Sequence, residues 1–136
     1  MKLTKPIKIK RDETNKVKTS SGEFLEYISW KECKELAFGI AIHEKRFPSQ
    51  GYLLSKKVDE VIFLLSGSGR VVVKEENSDR KFSLELHSVM FIPKGTSFYF
   101  EPNPKMEIIS ATSPAWYPKQ QKGLDYRRSE SGRLIL

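Results

Sequence analysis

From Phe24 to Ser110 the chain is a succession of short apolar-rich runs separated by Gly, Pro, Asn, Asp and Ser. Phe24-Leu25-Glu26-Tyr27-Ile28-Ser29-Trp30 alternates and is rich in aromatic and branched residues, the pattern of a half-buried strand. Leu36 to Ile42 predicts a second strand, and Glu44 to Gly51, which contains Pro48, breaks the pattern. Further strands are predicted at Tyr52 to Ser55, Glu60 to Leu65, Arg70 to Lys74, Phe82 to Leu86, Val89 to Ile92, Phe98 to Phe100 and Met106 to Ser110. Ser66-Gly67-Ser68-Gly69, Glu76-Asn77-Ser78-Asp79, Pro93-Lys94-Gly95-Thr96 and Pro102-Asn103-Pro104 carry turn chemistry, the first of them as a hairpin turn. Only Trp30 to Leu36 has room for a helical turn. Many short strands with Gly and Pro punctuation predict an all-β sandwich or barrel.

Composition narrows this picture. With 136 residues, 38% hydrophobic and 30% charged, the chain is the size of one domain and can bury a core. The longest apolar run, Val61 to Leu65, is strand-sized and far from the roughly 18 residues of a membrane span. The opening Met1-Lys2-Leu3-Thr4-Lys5-Pro6 has basic residues with no apolar stretch behind them, so no secretory signal is expected. A single cysteine, Cys33, excludes a disulfide framework within the chain and a cysteine-cluster metal site. A cytoplasmic protein is the resulting expectation.

The net charge of +7 is concentrated at the two ends. Residues 1–18 carry seven Lys and Arg against Asp12 and Glu13; residues 117–136 carry five against Asp125 and Glu130. The body between them is close to neutral. The chain therefore divides into a basic N-terminal arm (1–18), a barrel (19–117) and a polar C-terminal tail (118–136). Basic flanks could hold phosphates, which keeps weak nucleic-acid binding open. They equally solubilise a small domain or discourage pairing at a sheet edge.

Two segments resemble the cupin motifs. Glu60-Val61-Ile62-Phe63-Leu64-Leu65-Ser66-Gly67 is similar to the second half of the first motif, in which a glutamate precedes a glycine by seven positions. Phe91-Ile92-Pro93-Lys94-Gly95-Thr96-Ser97-Phe98 is similar to the second, marked by Pro-x-Gly-x-x-His. The resemblance covers residues 36–115 and implies a cupin-type double-stranded β-helix, a jelly-roll barrel with extended basic flanks. In metal-binding cupins the ligands are a His-x-His pair, the glutamate and the second-motif histidine. Here those positions hold Leu53 and Ser55 (or Leu54 and Lys56 at shorter spacing), Glu60 and Phe98. Only the glutamate remains, so no metal and no other cofactor is expected, and metal-dependent dioxygenation and sugar-phosphate isomerisation are disfavoured.

On the same resemblance, Glu60, Ile62, Phe98 and Phe100 point into the barrel and its mouth is lined by Leu53, Ser55, Glu60 and Phe98. That is an apolar pocket with one carboxylate, suited to a small, partly apolar ligand. Glu60 is the candidate general base, or else it pairs with Lys56, Lys57 or His43 and is inert. His43 ends a strand and faces either pocket or solvent, while His87 takes the turn position where many relatives have glycine. Trp116 and Tyr117, in Ser113-Pro114-Ala115-Trp116-Tyr117-Pro118, stand where some sugar-isomerase-like cupins close the barrel, stacking on a ligand or clamping the fold.

Three functions follow as expectations. The first is a metal-free barrel that binds a small molecule, such as a sugar or an organic acid, without turnover. The second is a cofactor-independent isomerase or epimerase using Glu60 as base. Its weakness is that no paired acid is visible, so the enzyme question leans towards no. The third is a homodimeric interaction module whose flanks bind an acidic partner. A homodimer is expected in any case, with Phe24 to Trp30 as the apolar contact strand.

Overall fold

Two strands of 16 and 17 residues organise the molecule, about three times the usual strand length. In the computed structural model residues 2–123, 127–128 and 134–135 are described. Arg133 and Leu136 of the polar tail lie outside them. The strands run in order β1 (Asn15–Lys18), β2 (Gly22–Ile28), β3 (Ala37–His43), β4 (Leu53–Ser55), β5 (Asp59–Lys74), β6 (Asp79–Leu84), β7 (Val89–Ile92), β8 (Ser97–Ser113) and β9 (Gln121–Lys122). A separate antiparallel pair joins β10 (Arg127–Arg128) and β11 (Leu134–Ile135).

The two long strands each belong to two sheets. Residues 59–67 of β5 pair with residues 106–113 of β8 and with β7, and β8 continues into β3, β2 and β1. This gives a first sheet in the order β1-β2-β3-β8-β5-β7. Beyond the bend, residues 69–74 of β5 pair with β6 and with residues 98–102 of β8, which continues into β4 and β9. This second sheet runs β6-β5-β8-β4-β9. The two curl over each other as an all-β jelly-roll barrel.

The bend falls where sequence chemistry suggested turns. Ser66 to Gly69 does not reverse the chain. It is a bulged corner inside β5, with register shifts between Leu64 and Ser66 and between Gly67 and Gly69. Pro102 to Pro104 is likewise inside β8. Gly67 adopts φ +82, and a Cβ there would sit 2.1 Å from Lys105 O, so the corner brings two backbones closer than any side chain permits. Trp30 to Leu36 forms a turn and bends, with no helix. His87 does occupy the left-handed turn of a glycine, at φ 64, and stacks on Phe63.

Both sheets send alternate side chains inward. Ala41, Ile62, Leu64, Ile92, Met106 and Ile108 come from the first sheet and Leu53, Val71, Phe98 and Phe100 from the second, packed together with Phe47. Burying each of these large side chains contributes roughly 1.5–3 kcal/mol. β2 lies between β1 and β3, hydrogen-bonded on both sides, and Phe24 packs against the core. Residues 23–26 of β2 are therefore paired on both sides and leave no free edge for the contact expected of Phe24 to Trp30.

Candidate functional site

Strand alternation turns Glu60 inward, next to Ile62 and Leu64, with Thr112 opposite it across β8. Ser110, one inward position along β8, donates its Oγ proton to Glu60 Oε2 at 2.5 Å. Thr112 Oγ1 accepts the backbone N–H of Trp116 at 3.0 Å. The Trp116 indole N–H in turn donates to Gln121 Oε1 at 2.6 Å, and Ser55 Oγ donates to the same oxygen at 3.1 Å. Gln121 is the ladder partner of Ser55 in the β4–β9 pair, so the two share one face. The chain after β8 thus folds back over one end of the barrel and ties its two sheets together through polar side chains.

Gln120 adds to this end from a 3-10 turn at Pro118–Gln120. It is buried; its carbonyl oxygen accepts the Lys56 N–H at 3.1 Å, and its Oε1 accepts the Lys57 N–H at 3.2 Å. These contacts fix both amide orientations, because an indole or backbone N–H can only donate and must face the glutamine oxygen. The two Nε2 groups then point away, and both are buried without a hydrogen-bond partner among the described residues. A buried donor left unpaired costs about 1–3 kcal/mol. Two enclosed amide N–H groups at one end of the barrel are therefore without an acceptor among the described residues.

Glu60 is half-buried as a residue, yet its carboxyl end is enclosed, and burial pushes its pKa above the ordinary glutamate value. The Ser110 hydrogen bond opposes the shift without cancelling it. No lysine or histidine pairs with it among the described residues.

His43 is elsewhere. Its ladder partner is Met106, six residues along β8 from Thr112, which is about 20 Å at the strand rise. The imidazole is 3% exposed and stacks between Phe47 and Phe100 at 5.0 and 4.9 Å. Ser21 Oγ gives its proton to Lys45 O at 2.5 Å, so at 3.1 Å it accepts from His43 Nδ1–H, and Nε2 is the unprotonated nitrogen. Burial lowers its pKa to about 4. His43 is a neutral ring in the apolar interior.

The other sequence-derived positions divide in three. Leu53, Ile62, Phe98 and Phe100 are 1–5% exposed and fill the barrel interior, with Leu53 directly opposite Phe98. Ser55 and Trp116 belong to the polar end. Tyr117 faces outward, and with Trp30, Lys34, Pro114 and Ala115 it lines a surface pocket of about 310 Å³. The cupin ligand positions do not fit a metal, since Leu53 and Phe98 carry no donor atom and Ser55 is engaged with Gln121. Among the described residues no group of three or more His, Cys, Asp or Glu converges. Ser110, Thr112, Gln120 and Gln121 were not singled out from sequence, and a Gln-Gln pair after Pro118 has no motif to announce it.

No family model and no curated protein matches the chain. Solved structures do. Streptomyces PAC13, solved with uridine, superposes with a TM-score of 0.73 at 13% identity, over 98% of this chain and 95% of that one. The same protein is elsewhere named Pac13, a unique nucleoside dehydratase. A protein from Planctomyces limnophilus gives 0.71 at 13% identity, over 86% and 96% of the two chains. CapF of Staphylococcus aureus, a capsular polysaccharide assembling protein, gives 0.67 at 16%, over 82% of this chain but only 34% of CapF. At these identities the likeness speaks for the fold, and the fold is a cupin-like β-barrel.

Proposed function

We propose that this chain binds a small polar molecule at the Glu60 end of its barrel, through neutral hydrogen-bond donors. The observation that carries the reading is the pair of buried amide N–H groups of Gln120 and Gln121, beside Ser55 and Trp116, that have no acceptor among the described residues. A ligand that brings carbonyl, carboxylate or hydroxyl oxygens would satisfy them, as a sugar, an organic acid or a nucleoside does. A carboxyl of raised pKa at Glu60 adds a donor when protonated. The uridine bound by PAC13 makes a nucleoside the first probe.

The test is calorimetry with uridine, then with a panel of sugars and small organic acids. Gln121→Glu keeps the oxygen that Trp116 and Ser55 need and removes the free N–H, so binding should fall tenfold or more. Glu60→Gln should change it less. No binding of any probe, or binding indifferent to Gln121→Glu, defeats the reading.

A second reading is catalytic, with Glu60 as base in an isomerisation or epimerisation that needs no cofactor. The raised pKa favours it, because proton transfer is most efficient when the group titrates near the working pH. Ser110 is the only side chain hydrogen-bonded to that carboxyl among the described residues, and a hydroxyl is a weak acid partner. Loss of solvent-deuterium incorporation into a bound probe on Glu60→Gln would mark turnover; no incorporation by the wild type leaves binding alone.

A further inference from the structure

The first sheet has an outer face that is covered on one half and, apart from His87 stacked on Phe63, open on the other. Over β2 and β3, Leu25 and Ile40 are 1% and 6% exposed, and Arg11 of the N-terminal arm crosses to Glu107 at 2.8 Å. Over β5 and β7, Val61, Val89 and Phe91 are 38%, 62% and 58% exposed. Val61 lies opposite Phe91, and Phe63 opposite Val89, so these side chains form one apolar strip that continues to Ile109 and Ala111 of β8. The strip ends at β7, whose one described ladder partner is β5.

Among the described residues the barrel has four outer strands, and they are not alike. β1 carries Lys16 and Lys18, β6 carries Asp79, Arg80 and Lys81, and β9 carries Lys122. Charges of this kind discourage a second strand from adding to an edge. β7, Val89-Met90-Phe91-Ile92, has none. For a chain of net charge +7, β7 is the one of these four at which two copies meet without opposing lysines or arginines.

We propose that β7 and the apolar strip beside it form the contact between two copies of this chain, related by a two-fold axis. An antiparallel strand paired with its own copy satisfies the same hydrogen-bonding groups on both sides, which a two-fold demands. With the axis at Met90, Met90 faces Met90 of the other copy and Val89 faces its Phe91, so that outward side chains meet outward side chains. The first sheets join into one continuous sheet, and the exposed Val89 and Phe91 of each copy pack against those of the other across the seam. The contact is apolar while the copies repel through their net charge, so salt strengthens the association by screening that repulsion. This inference is independent of what the barrel binds.

The experiment is light scattering on the full chain at tens of micromolar. The expected mass is twice the 15.7 kDa of the chain, with the dimer fraction rising from low to high salt. Phe91→Lys places two like charges beside the axis and should halve the mass; Val89→Lys, at a second exposed position, should do the same. Both residues are exposed, and an unchanged circular dichroism spectrum shows that the barrel is intact. Lys16→Ala, on the opposite edge, should leave the dimer unchanged. A wild type that is monomeric at both salts, a dimer that survives both lysine substitutions, or one that salt dissociates would each overturn the proposal.

Discussion

Ser110 Oγ lies 2.5 Å from Glu60 Oε2, so a carboxyl turned into an apolar barrel has one hydroxyl partner and no counter-charge among the described residues. Glu60 is therefore better accommodated neutral than charged.

That imbalance sets a direction for stability against pH. The folded state raises the pKa of Glu60, so it holds this proton more tightly than the unfolded chain does. The stability Glu60 contributes is fully present below its unfolded pKa and is lost as pH rises through the folded value. Glu60→Gln keeps an oxygen for Ser110 and removes the charge. It should raise the urea midpoint at pH 7 and leave it almost unchanged at pH 4. A lower midpoint at pH 7 would show that the carboxylate is stabilised by something else.

His43 works in the opposite sense. Its pKa falls from about 6.5 in the unfolded chain to about 4 in the fold, so the unfolded state takes up the proton first. Stability present above pH 6.5 is lost as pH falls through this window, on the order of 3 kcal/mol in all. Urea denaturation between pH 7 and pH 4 should show that loss, and His43→Gln, though less stable throughout, should show a shallower slope. Equal slopes would place a proton-accepting partner beside the imidazole.

The corner in β5 separates two costs of replacing glycine. Gly67→Ala meets both a positive φ and a Cβ 2.1 Å from Lys105 O, and should cost on the order of 3 kcal/mol. Gly95→Ala, at φ +86 with nothing within 4 Å of the added Cβ, pays for the conformation alone, about 1 kcal/mol. Thermal denaturation of the two variants should separate by several degrees; similar midpoints would mean that the corner relaxes.

Nucleic-acid binding, where present, should be electrostatic. Replacing Lys2, Lys5 and Lys8 with alanine tests this without touching β1, or Arg11 on Glu107. The logarithmic salt dependence of affinity for a generic single strand should flatten by about two to three, roughly one unit for each phosphate no longer neutralised. An unchanged slope would mean that other cations hold the phosphates.

Strand existence was legible in the chain because alternation encodes it: Val89 to Ile92 is β7 residue for residue. Strand continuity was not. Ser66-Gly67-Ser68-Gly69 has the composition of a reversal, but the same residues serve a corner where two backbones nearly touch, and composition does not distinguish the two. Glu60 stood out through its spacing to Gly67, and its inward orientation was what the cupin resemblance implied. Gln121 enters the site only because a two-residue strand pairs it with Ser55, 66 positions away, a register no local pattern encodes. Trp116 and Tyr117 read alike in sequence, yet the turn after β8 gives Trp116 a hydrogen bond to Gln121 and an edge contact with Trp30, while Tyr117 lines the surface pocket.

The sharing of β5 and β8 between both sheets has a consequence for how the protein is made. β3, β4 and β5 all take a hydrogen-bonding neighbour from β8, the last long strand to be synthesised. While a ribosome is still short of residue 97, Ile62, Leu64 and Val71 have been made but the strand that closes over them has not. The nascent chain must therefore carry its apolar runs uncovered until β8 emerges, and folding waits on one late, long-range event. A chain arrested at residue 96 should engage chaperones and be cleaved readily by protease. One arrested with residue 113 well clear of the exit should resist.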